Sequence, residues 1–88
     1  MILFTMMDMT QVKIEKEYLT QLVDFKLNHL RKKIEKILQK WGYTSSNKFL
    51  EDAKNGIISE AEEEAIILKN LEDEIDRLEH RKTIWLSQ

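Results

Sequence analysis

Cysteine and proline are absent from these 88 residues, and glycine occurs only at Gly42 and Gly56. Without cysteine there is no disulfide, no thiolate metal site and no cysteine nucleophile. Without proline, little in the chain forces a helix to end, so long helices are expected. No apolar run approaches the ~20 residues that cross a membrane. The opening MILFTMMDMT is apolar, but it lacks a cationic flank and its apolar core is too short for a signal peptide. The expectation is a soluble, cytoplasmic protein with no membrane partner.

Chemistry-bearing constellations are equally scarce. Histidine occurs only at His29 and His80. Asp76 stands one turn before His80, but Arg77 occupies the position where a Glu-x-x-His metal motif needs its glutamate, and Lys26 does the same before His29. The acidic runs Glu62–Glu64 and Glu72–Asp76 spread their carboxylates around a helix, so they read as solvated surface. Serines and threonines fall in caps and termini, with no histidine spaced to activate them. No catalytic residue, no metal site and no cofactor is expected, and the chain is not read as an enzyme.

The strongest signal present is the stretch 23–41, VDFKLNHLRKKIEKILQKW. Val23, Leu27, Leu30, Ile34, Ile37 and Trp41 alternate steps of four and three, the spacing that keeps one seam of a helix against a partner. Lys26, Arg31, Lys32, Lys33, Lys36 and Lys40 surround that seam and are the candidate phosphate contacts. Ile14, Tyr18, Leu22 and Phe25 add a second apolar row, which widens the face of the helix towards its start.

The predicted elements are a helix over about 14–41, a short helix over 46–54 and a third over about 60–82. Four methionines, each a candidate start, crowd residues 1–9, and residues 1–10 are expected to be flexible, ahead of a single helical domain over 11–88. Gly42 is placed to close the first helix in a left-handed conformation, and Asn55-Gly56 the second. Ser45 or Ser46 can cap the short helix, whose inward face is Phe49, Leu50 and Ala53. Ile57-Ile58 should tuck under the bundle end. Ser59 and Glu62 match a capping box at the start of the third helix. The third seam runs Ala61, Ala65, Leu68, Leu71, Ile75, Leu78 and Trp85, interrupted by Lys82.

Charge decides how these helices meet. Residues 1–41 carry eight Lys/Arg against five Asp/Glu, a balance of +3, while 42–88 carry six against eleven, a balance of −5. A nucleic-acid binder usually has a basic excess over the whole domain, so nucleic acid is not the favoured partner. The complementary halves point to antiparallel packing, with Arg31 meeting Glu79 and Lys33 meeting Glu74. The expected fold is all-α, an antiparallel long-helix hairpin with a short connecting helix. A two-helix hairpin leaves Tyr18, Leu22, Phe25, Ile66 and Ile67 without full cover, and Trp85 sits in an apolar tail, Ile84-Trp85-Leu86. Those six residues are the expected partner-binding set. Dimerisation of hairpins into a four-helix bundle would cover them, as would a heterologous protein. The functional expectation is a small self-associating protein-interaction module. The alternative is an antitoxin-like or transcription-associated regulatory protein that binds a partner protein or nucleic acid.

Overall fold

A computed structural model describes the backbone of residues 2–87 and the side chains of residues 15–87. Helix α1 spans Ile2–Trp41, α2 spans Ser46–Lys54 and α3 spans Glu62–Ser87, with one 3-10 turn at Ser59–Ala61. No strand occurs among the described residues, and the fold is all-α. Helix α1 starts well before residue 14 because neither glycine nor proline precedes Gly42 to interrupt it. The loose packing expected of residues 1–10 concerns side chains outside the described ones. Helix α3 likewise runs on past residue 82 to Ser87.

Both glycines end helices as their sequence positions imply. Gly42 has φ +75°. Its N–H donates to the Gln39 carbonyl at 3.2 Å, and the Tyr43 N–H donates to Leu38 at 2.8 Å, the paired pattern of a Schellman motif. Gly56, at φ +78°, repeats it: Gly56 donates to Ala53 and Ile57 to Asp52. At the other end of α2, Ser45 Oγ accepts from the Lys48 N–H at 3.3 Å, so Ser45 is the cap.

The capping box at Ser59 does not form. The Glu62 N–H, which the box would offer to the Ser59 hydroxyl, donates instead to the Ser59 carbonyl, and the Ala61 N–H donates to Ile58 at 2.9 Å. A 3-10 turn satisfies these leading donors with backbone acceptors, so α3 begins at Glu62 without a side-chain cap. Within the connector, Ile58 packs against the core while Ile57 is exposed, so only one of the two tucks in.

The course of α3 follows from its ion pairs with α1. Asp24 meets Lys82 at 2.6 Å, Arg31 meets Glu79 at 2.5 Å and Lys40 meets Glu64. From Asp24 to Lys40 along α1 the partners run from Lys82 back to Glu64, so α3 returns alongside α1. The molecule is a rod of 67 × 18 × 17 Å. Its densest packing lies at the loop end, where Leu38, Phe49, Ala53, Ala61, Ala65 and Leu68 form one buried cluster. Towards the other end, Val23, Leu27 and Leu30 are buried on α1, but Leu71, Ile75, Leu78 and Trp85 on α3 are only half-buried. Packing therefore loosens from Leu71, earlier than the loosening after Leu78 that the Lys82 interruption implies. Among the described residues no helix is long and apolar enough to cross a membrane.

Candidate interaction surface

Helix α2 shapes the loop end by burying a polar pair together with its apolar face. The Phe49 ring is fully buried and meets Tyr43 edge to face, with centroids 5.4 Å apart. This geometry aims the Tyr43 hydroxyl at Asp52, to which it donates at 2.7 Å. Lys48 Nζ approaches the other carboxylate oxygen at 3.3 Å. The Tyr43 hydrogen bond, helped by Lys48, holds Asp52 below the usual carboxylate range against the opposing effect of burial. The same bond raises the Tyr43 phenol. Asp52 is thus a satisfied structural anion. It was not legible as buried from sequence, because its partner Tyr43 lies across a turn.

A second junction ties α1 to α3. Glu64 accepts from Lys40 on one oxygen and from Trp41 Nε1 on the other, at 2.9 Å, and Lys40 also lies 5.6 Å from the Trp41 ring. Lys40, then Trp41, lower the Glu64 carboxyl from its ordinary value. Of the run Glu62–Glu64, only Glu64 is drawn inward; Glu62 and Glu63 face solvent as expected. Glu72 differs: its Oε1 is buried and has no hydrogen-bond partner among the described residues.

The six basic candidates divide. Arg31 and Lys40 are bound by acids of α3, and Lys26 approaches Glu74 at 3.9 Å. Arg31 thus meets the expected Glu79, while Glu74 faces Lys26 in place of the expected Lys33. Lys32, Lys33 and Lys36 are exposed and have no ion-pair partner among the described residues. His29 and His80 are exposed, and no group of three His, Asp or Glu side chains is gathered for a metal among the described residues.

The apolar candidates fall in three places. Tyr18, Leu22 and Phe25 are 61%, 47% and 76% exposed, on successive turns of α1 at the open end. Leu22 stands beside the buried stripe, and Tyr18 and Phe25 lie further round, about 140–160° from Val23 at 100° per residue. Ile67, 46% exposed, flanks Leu68 nearer the loop end. Trp85 is half-buried at the open end, with exposed Ile84 and Leu86 around it. Ile66, 64% exposed, faces away from Ile67 and lines an open groove between α2 and α3 with Leu50, Ala53 and Ala65. The candidates therefore do not form one patch. The division between Ile66 and Ile67 follows from where α2 docks, which no local pattern encodes. No protein-family model, curated protein or solved structure matches this chain.

Proposed function

We propose that this chain is a small, non-catalytic protein-interaction module that associates with itself, an antiparallel helical hairpin whose dimer forms a four-helix bundle. The supporting observation is that Tyr18, Leu22, Phe25 and Ile67 stay exposed after α1 and α3 have packed on each other. Burying an aliphatic or aromatic side chain contributes about 1.5–3 kcal/mol, so four left in water are a large forfeit for a domain of this size. The pairing of Lys26, Arg31 and Lys40 with acids of α3 supports the same reading, since it spends positive charge inside the protomer.

The test is a thermal melt across a hundredfold range of protein concentration. A self-associating fold melts in a transition whose midpoint rises with concentration, whereas a midpoint independent of concentration refutes the reading. The residual bases Lys32, Lys33 and Lys36 favour one second reading, contact with nucleic-acid phosphates in a regulatory protein. Absence of any DNA or RNA mobility shift at low salt would end it.

A further inference from the structure

Resting on the self-association just proposed, we infer how the two copies lie: α1 of each packs against α3 of the other, with both loop ends at the same end of the bundle. The ion pairs define the faces. Lys26 precedes a seam residue of α1, Leu27, and Glu74 precedes a seam residue of α3, Ile75. The two pair with one another, so the positions just before the seam share one side of the α1–α3 pair. Leu22, Lys33 and Ile67 have the same offset, before Val23, Ile34 and Leu68. Trp85 follows Ile67 by five full helical turns and shares its face.

The opposite side is taken. Arg31 and Glu79, which follow Leu30 and Leu78, pair on it, and at the loop end Leu38 and Ala65 are buried there with Phe49 and Ala53 of α2. Helix α2 thus leaves the first side open, carrying Leu22 and Trp85 at one end and Ile67 at the other. Tyr18 and Phe25, one turn either side of Leu22, rim it. Ile66 belongs to the α2–α3 groove and takes no part.

A second copy can lie on this face under a two-fold axis in two ways. With loop ends opposed, α1 lies on α1, and Lys26, Lys33 and Lys40, spaced every seven residues, face the same three lysines. With loop ends together, α1 lies on the partner's α3, and those lysines face the strip holding Glu63 and Glu74, on which Arg81 is a lone base at the far end. Charge complementarity selects the second arrangement. It also brings Leu22 of each copy against Trp85 of the other, because Lys82, one turn before Trp85, lies level with Asp24.

The experiment is pulsed electron-spin distance measurement on Thr44→Cys, an exposed loop site in an otherwise cysteine-free chain, with the mass of the same sample measured by sedimentation. Helices packed 8–10 Å apart put the two labels within roughly 30 Å when the loops share an end. Opposed loops separate them by about 40 Å or more, the length of the 26-residue α3. A dimer with the long distance overturns this arrangement and leaves self-association standing; a monomeric mass overturns both. Lys33→Glu gives an independent sign: the same-end dimer weakens roughly fivefold. An unchanged or tighter dimer contradicts it.

Discussion

Replacing Phe49 by alanine tests the junction on which the loop end depends. Phe49 is fully buried, its ring contacts Tyr43, and α2 is a helix of nine residues. A phenylalanine-to-alanine change at such a site costs about 3–5 kcal/mol, counting lost transfer and the cavity left behind. A chain of 88 residues has a stability of about 4–13 kcal/mol at 0.05–0.15 kcal/mol per residue, so the change removes a large share of it. Isolated helices shorter than about 12–15 residues are marginal in water, so α2 should open before α1 and α3 do. Urea titration followed by circular dichroism, at one protein concentration for both forms, measures the loss. Amide exchange resolves where it falls, with protection lost first over Ser46–Lys54. A cost below about 1.5 kcal/mol, or exchange unchanged in α2, would refute the view that Phe49 pins this helix to the other two.

Four further outcomes follow. Lowering pH should destabilise the fold below about pH 4, because Asp52 and Glu64 have depressed pKa values in the folded state. Their contribution is present above the unfolded values and is lost as pH falls through the folded ones; Asp52→Asn should lower the melting temperature at pH 7 and flatten the acid limb. Gly42→Ala should cost about 1 kcal/mol in a denaturant titration, since its φ of +75° is strained for an L side chain although the space is open. Glu72→Leu should raise the melting temperature, gaining about 1 kcal/mol by removing a buried oxygen that lacks a partner. Leu22→Ser and Ile67→Ser should weaken self-association in sedimentation, while Ile66→Ser, more exposed than either, leaves it unchanged.

Much of the helical plan is readable from periodicity and from the two glycines. The seam positions Val23, Leu27 and Leu30 are buried, α2 has its expected bounds, and Arg31 meets Glu79. Such features depend on residues within a few turns or on charges facing across two helices. What the pattern missed depends on the third helix. Ile37 holds the heptad position, yet its neighbour Leu38 is the buried one, because α2 draws the core round that flank. Ser59 and Glu62 match a capping box in letters, but the connector enters α3 through a 3-10 turn that satisfies the same donors. Asp52 looks like a surface acid until the Gly42 turn brings Tyr43 over it.

Sedimentation equilibrium at micromolar concentration decides whether a second copy of the chain covers the face bearing Leu22, Ile67 and Trp85. A covered face gives a species of twice the 10.6 kDa chain mass that dissociates on dilution. A well-folded monomer across the whole concentration range refutes the proposed dimer.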